Sequence, residues 1–253
     1  LNKIFAQTLF LGKNLIDLPE CHSTNTIAAE LLSRQSVAEG SVVTTDHQTA
    51  GRGQRGNSWE AAAGKNLTFS IILKPSFLHV QEQFSLNIIT SLAIYDLLTE
   101  LLPPGLSIKW PNDIYYYQQK LGGILIENTL KNTSLEWSVL GIGLNVNQTR
   151  FKDGKASSMA IIAGKDFARA AVLERLLLKL ESRYLQLKAG GVAALRKEYL
   201  SRLYWLGEVH TFRSAGEDFN GKIIGIDKVG RLAVCLPDDE IRYFWIKEIE
   251  FIR

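Results

Sequence analysis

The chain has 253 residues, of which 46% are hydrophobic and 22% charged. That balance describes an ordinary globular protein with enough apolar material for a sizeable core, and it excludes disordered and collagen-like chains. The formal net charge of +3 comes without a dense Lys/Arg block, so a nucleic-acid surface is not expected.

In chain order, the first helix is expected from Ser23-Thr24-Asn25. These residues can cap it, and Ile27, Ala28, Leu31 and Leu32 then form its apolar face. Residues 41–48, rich in Val and Thr, read as a strand. A loop follows in which Gly51-Arg52-Gly53-Gln54-Arg55-Gly56 is trailed by Trp59. Glycine lets backbone approach a ligand, and arginine offers a forked donor for phosphate or carboxylate. Such a loop is expected to be mobile when empty and to close around an anion. Residues 66–74 are the next strand, with Leu67, Phe69, Ile71 and Leu73 on one side and Pro75 as its stop.

A helix is expected over 82–102, ended by Pro103-Pro104-Gly105. Short strands at 106–110 and 114–117 flank the turn Pro111-Asn112-Asp113. Two longer strands, 120–127 and 136–147, carry Gly122, Gly123, Gly141 and Gly143. Glycine weakens a strand interior and commonly marks close approach by a ligand or another backbone. A polar loop at 149–158 leads to helices at 166–187 and 192–204. Beyond them the pattern changes to short strands at 209–213, 221–227, 232–236 and 241–245, which suggests a small barrel. The expected organisation is therefore a domain over 1–206 and a second over 207–253.

Cys21 and Cys235 lack metal-ligand spacing and are expected to be a buried, reduced pair. Asn87 and Asp96 interrupt the longest apolar run, so no membrane span is expected. The residues Leu1 to Phe5 show no signal-peptide pattern, and the location expected is cytoplasmic. No metal-binding pattern is found among His22, His47, His79 and His210. Cys21 has no partner base in a clear motif, so thiol catalysis is not expected. The run Tyr115-Tyr116-Tyr117 is expected to pack rather than to stack on bases.

Four segments remain that could carry chemistry. These are the Gly/Arg loop, Lys109-Trp110-Pro111-Asn112-Asp113, Lys120-Leu121-Gly122-Gly123-Ile124-Leu125-Ile126-Glu127, and Gly141-Ile142-Gly143-Leu144-Asn145. In these motifs, and in their order, the chain resembles the biotin–protein ligases. The resemblance implies an α/β (α+β) catalytic domain, related to class II aminoacyl-tRNA synthetases, followed by a small SH3-like β-barrel. It implies an ATP-dependent ligase that forms biotinyl-5′-AMP and passes biotin to a lysine of a biotin-acceptor protein.

Carried over by motif, Arg52, Arg55, Lys120, Asp113 and Lys109 are implied in catalysis. Biotin contacts are implied for Ser23, Thr24, Asn25, Gln48 and the loop residues Gly51, Arg52, Gly53 and Gln54. Lys120, Gly123, Leu125, Gly141 and Gly143 complete that set. The nucleotide falls to Arg52, Arg55, Trp59, Asn112, Lys120 and Asn145. ATP and biotin are the implied substrates, with Mg²⁺ bound mostly through ATP phosphates. A biotin carboxyl-carrier domain is the implied partner, and the protein would be a monomer or homodimer. Gln54 departs from the arginine of some members, which leaves a smaller positive field on the loop. About twenty residues precede the first helix, too few for a winged helix-turn-helix, so DNA binding is not expected. Two readings compete with the ligase: a lipoate- or octanoate-transferring enzyme on a related fold, and a non-catalytic biotin sensor.

Overall fold

A computed structural model describes residues 7–35, 37–152 and 154–252; of Arg55 only the backbone is described. The first strand, β1 (Leu15–Cys21), is one the sequence pattern did not suggest. Its Leu-Ile-Asp-Leu-Pro-Glu-Cys run alternates poorly and contains Pro19, which a sheet tolerates at an edge. An edge is its place: β1 pairs only with β2 (Val42–Gln48), in parallel. Helix α1 (Thr24–Ser33) makes the crossover between them, as parallel neighbours require.

The sheet continues through β3 (Leu67–Leu73), β4 (Leu106–Lys109), β5 (Asp113–Tyr116), β6 (Gln119–Lys131) and β7 (Ser134–Leu144). Its spatial order is β1-β2-β3-β7-β6-β5-β4. Every residue of the central strand β3 is buried, because both faces of the sheet are covered there. On one face Leu67, Phe69, Ile71 and Leu73 join the main core beneath α2 (Phe84–Thr99). Helix α2 is buried on nearly all sides, being sandwiched between the sheet and the helices α4 (Arg169–Lys188) and α5 (Val192–Ser201). On the other face only α1 covers the sheet, burying Ala28 against Val43, Ile72 and Val139. The remainder of that face is left for the site.

Helix ends differ from the sequence reading by up to three residues. A five-residue helix, α3 (Met159–Ala163), lies just past the expected polar loop, and the Ser158 hydroxyl caps it by accepting from Ile161 N at 3.2 Å. It is too short to leave a periodic signature.

The C-terminal strands are β8 (Val209–Ser214), β9 (Glu217–Ile226), β10 (Leu232–Cys235), β11 (Ile241–Phe244) and β12 (Glu250–Phe251). They form a separate antiparallel sheet in the order β11-β10-β9-β8-β12. The Trp110 indole donates to Gly230 O at 2.9 Å and Arg196 to Ile226 O at 2.7 Å, which moors this sheet to the larger unit. Gly230 has φ +95°, and a Cβ there would fall 2.3 Å from Phe84. Only glycine allows that approach.

Three helices are tied by Arg183 on α4. Its guanidinium donates to Asp96 at 2.8 and 3.0 Å and to both Glu198 oxygens at 2.7 Å, and the side chain is only 15% exposed. The hydrogen bond from Arg183 holds the Glu198 carboxyl below its ordinary value of 4.5. A carboxyl with a lowered folded pKa adds stability above its unfolded value, and that stability is lost as pH falls through the folded one. Glu198→Gln is therefore expected to cost ~1 kcal/mol at neutral pH, an amount limited by solvent screening. The deficit should vanish on acidification below the ordinary carboxylate range. Urea denaturation of both proteins at neutral pH and at about pH 3 checks both halves.

Candidate active site

Cross-strand register builds the floor. Asp113 lies opposite Gly123, Gly123 opposite Gly143, and Gly143 opposite Thr68. The adjacent row runs Leu125, Gly141, Ser70. Because side chains alternate between faces, Ile124 and Ile142 point into the main core while their glycine neighbours leave the opposite face nearly bare. A Cβ on Gly143 would meet the Trp59 indole at 2.3 Å, and one on Gly141 would meet Asn25 Oδ1 at 2.2 Å. Those two side chains therefore rest on the sheet backbone itself.

Over this floor lies a cavity of about 580 Å³, within the range of small-molecule sites. Its cover is the Gly/Arg loop, which folds as a small hairpin. Arg52 bridges to Ser58, Trp59 N donates to Gly51 O at 2.9 Å, and a 3₁₀ turn (Gln54–Gly56) forms the tip. Arg52, Gly53, Gln54 and Trp59 face the cavity as expected, joined by Asn57 and Ser58. Gly51 does not line it. A Cβ there would collide with Trp59 O at 2.3 Å, so this glycine serves hairpin closure. The Arg55 side chain lies outside the described residues.

One end of the cavity is neutral and polar. Gln48 Oε1 accepts from Thr24 N at 2.8 Å and from Thr24 Oγ1 at 3.2 Å. Ser70 Oγ lies 2.7 Å from Thr24 Oγ1 and donates to Asn25 Oδ1 at 2.6 Å. Asn25 Nδ2 donates to Leu125 O at 3.2 Å and to Glu127 Oε2 at 2.7 Å. The capping role open to Ser23-Thr24-Asn25 is not taken up. Ser23 sits at the N-cap of α1 with no side-chain cap bond, while Thr24 and Asn25 spend their polar atoms in this network.

The other end is ionic. Lys120 Nζ lies 2.6 Å from Asp113 Oδ1 and 5.8 Å from the Trp59 ring centroid. Lys109 Nζ sits over the rings of Tyr115 and Phe251, at 5.0 and 4.6 Å, a cation–π arrangement that fixes its ammonium. Asn112 is held by mutual bonds with Ile124, its Nδ2 donating to Ile124 O at 2.6 Å. Among the described side chains the lining holds Arg52, Lys109, Lys120 and Lys247 against Asp113 and Glu250, a surplus of positive charge that suits an anion.

Asn145 was expected to contact the nucleotide and does not line the cavity. It is 2% exposed; its Nδ2 donates to Ser157 O at 3.0 Å, and its buried Oδ1 has no protein partner. Residues that sequence reasoning missed include Ser70, Thr68 and Glu127, although Glu127 closes one of the motifs. Ile246, Ile249 and Phe251, at the end of the C-terminal sheet, form a further wall, and nothing in their local pattern signals it.

Among the described residues the lining contains no His or Cys. Burial pushes the Cys21 thiol up, which disfavours a reactive thiolate. Both cysteines are free, but Cys235 is only half-buried, unlike the buried pair expected. Tyr115 is buried and Tyr117 is 63% exposed, so that run packs only in part. Among the described residues no group of His, Cys, Asp and Glu could hold a metal, and no helix is long and apolar enough to cross a membrane.

The model of the biotin/lipoate A/B protein ligase family matches residues 18–145. The chain is 32% identical over 249 residues to the bifunctional ligase/repressor BirA of Bacillus subtilis, covering 96% of this chain and 76% of that one. It is 32% identical over 238 residues to the biotin–[acetyl-CoA-carboxylase] ligase of Mycobacterium tuberculosis, covering 91% and 86%. Among solved structures, biotin protein ligase from Aquifex aeolicus, in complex with biotin and ATP, superposes with a TM-score of 0.78. That match has 29% identity and covers 95% of this chain and 99% of that one.

The bare floor has a direct test. Gly143→Ala is expected to expel the indole, with a loss of about 1–3 kcal/mol in stability and a red shift in Trp59 fluorescence. The shift is read as the difference between this variant and the same variant carrying Trp59→Phe. Unchanged emission would show that the indole does not rest on residue 143.

Proposed function

The chain belongs to the biotin/lipoate A/B protein ligase family, and we propose that the cavity described above is where it joins biotin to ATP and then to protein. It is an ATP-dependent biotin–protein ligase, which forms biotinyl-5′-AMP and transfers the biotinyl group to an acceptor lysine. The observation that carries the site assignment is the pairing of a neutral polar end and a cationic end on one glycine floor, beneath one indole. Biotin's urea is a neutral donor–acceptor head that suits the Thr24, Asn25, Gln48 and Ser70 network. Its carboxylate, at the far end of a valeryl chain, then reaches Lys120.

In the first step a biotin carboxylate oxygen attacks the α-phosphorus, and the bond to the β-phosphate breaks to release pyrophosphate. The substrate is itself the nucleophile, so a lining without His or Cys is no obstacle. The protein's part is alignment and charge neutralisation. Lys120 draws the carboxylate and the α-phosphate together, and Arg52 clamps the anhydride when the flap closes. Trp59 covers the product, and its buried Nε1, which has no protein partner, offers a donor to it. In the second step the acceptor lysine attacks the acyl carbon, AMP leaves and the lysine yields a proton, with Asp113 the nearest carboxylate to take it.

The donor set suits a metal carried by ATP better than a protein cage, because Asp113 is the single floor carboxylate and already faces Lys120. Mg²⁺ carried in this way would supply neutralising charge for the pyrophosphate, and Asp113 is the residue that would meet its water shell. A carboxyl-carrier domain supplies the acceptor lysine.

Lys120→Gln is expected to lower biotin-dependent pyrophosphate exchange about 10²–10³-fold, the usual cost of one aimed donor. Exchange driven by lipoate and not by biotin would replace this reading with the lipoate one. Asp113→Asn should slow transfer to an acceptor domain by about tenfold or more while exchange falls less. Full transfer by that variant would remove Asp113 from the second step.

A further inference from the structure

Glu127 stands at the edge of the biotin end, on the same face of β6 as Gly123 and Leu125. One of its oxygens, Oε2, accepts two hydrogen bonds at once. Asn25 Nδ2 donates at 2.7 Å and Arg52 Nη2 at 2.8 Å. The first donor belongs to the floor network and the second to the flap. We propose that Glu127 is a positioning residue that orients Asn25 for biotin and parks the flap arginine beside the biotin end until nucleotide arrives. This inference rests on the biotin reading of the cavity.

The argument for Asn25 is one of satisfied valence. Its Oδ1 takes the Ser70 proton at 2.6 Å, and its amide hydrogens go to Leu125 O and Glu127. A primary amide offers two donors and an acceptor, so these partners leave one orientation. Without Glu127, one N–H loses its stronger, charge-assisted acceptor. The amide can then turn toward the cavity and present the wrong groups to the urea. Gly141 makes this position sensitive, because Asn25 Oδ1 occupies the space of its absent Cβ.

The argument for Arg52 is one of strength. The Arg52 and Glu127 side chains are 44% and 40% exposed. An ion pair that open is weak, strong enough to bias a mobile loop and weak enough to yield to a phosphate. A guanidinium has five N–H donors, and this contact uses one. Glu127 thus lowers the number of flap conformations before ATP binds without competing seriously with it afterwards.

Two readouts separate this role from general stability. Biotin binding is measured by calorimetry on the full chain for the wild type, Glu127→Ala, Glu127→Gln, Asn25→Ala and the Glu127→Ala/Asn25→Ala double variant. Glu127→Ala is expected to weaken binding about tenfold, and Glu127→Gln, which keeps an acceptor for Asn25, to restore most of it. In the Asn25→Ala background, Glu127→Ala should add little, since the effect runs through Asn25. Separately, trypsin cleavage after the flap arginines is followed without ligand, and both Glu127 variants should be cut several-fold faster than wild type.

Wild-type affinity in Glu127→Ala, or additive losses in the double variant, would overturn the Asn25 half. Unchanged trypsin rates would overturn the Arg52 half. A wild type that binds no biotin would instead refute the ligase reading, and the ligand-free cleavage rates would still decide whether Glu127 holds the flap.

Discussion

The site depends on a row of absent side chains. Asp113, Gly123, Gly143 and Thr68 are cross-strand neighbours on four consecutive strands, and the two glycines in the middle leave the backbone uncovered. Glycine inside a strand ordinarily costs stability. The cost is tolerated because β6 and β7 form a long hairpin whose other face, through Ile124, Ile142 and Leu144, is buried in the main core. One face of the hairpin supplies the cohesion that the other forgoes. The flap indole and the α1 amide then settle where Cβ atoms would have been.

The same economy joins the C-terminal sheet to the chemistry. Lys109 and Trp110 are sequence neighbours in one turn, yet they face different tasks. The Trp110 indole reaches Gly230 of the small sheet, while the Lys109 ammonium lies between Tyr115 and Phe251. Phe251 belongs to β12, so a cation of the cavity is packed partly by the second sheet. A small displacement of that sheet would be felt at Lys109 directly. The C-terminal sheet is therefore part of the cavity wall as well as an appendage on it.

The large helices, the glycine-bearing strands and the motif residues were legible because each carries a local signal, such as 3.6 periodicity, alternation, or an unusual cluster of Gly and Arg. What escaped was non-local or too short. Strand β1 is an edge strand with a proline and a poor alternation, and α3 spans little more than one turn. Ser70 reads as one polar residue in a buried strand; its role emerges only when register sets it beside Gly141 and beneath α1. Asn145, implied by the family motif to meet the nucleotide, is buried just past the end of β7, and its Nδ2 donates to Ser157 O, a contact that the local sequence does not announce. Capping propensity placed the start of α1, with Ser23 at its N-cap, although no side-chain cap bond forms. Ser, Thr and Asn favour helix starts because they bond local backbone, and here distant side chains compete for the same atoms and win.

The two ion pairs of the cavity follow one physical logic. Lys120 with Asp113 and Arg52 with Glu127 are both partly open to solvent, with the lysine 33% and the arginine 44% exposed. Fully buried, such pairs would have to be broken at several kcal/mol before either cation could serve an anion. Fully exposed and unpaired, the long side chains would lose rotamer entropy each time a ligand bound. Partial exposure places them between these limits, oriented in advance and still cheap to redirect. The difference between the pairs lies in what carries them. Lys120 is on a hydrogen-bonded strand of the sheet, whereas Arg52 is on the short hairpin that covers the cavity. A cation on a strand and one on the covering hairpin thus stand above the same bare floor, each oriented by a partner that leaves it partly open to solvent.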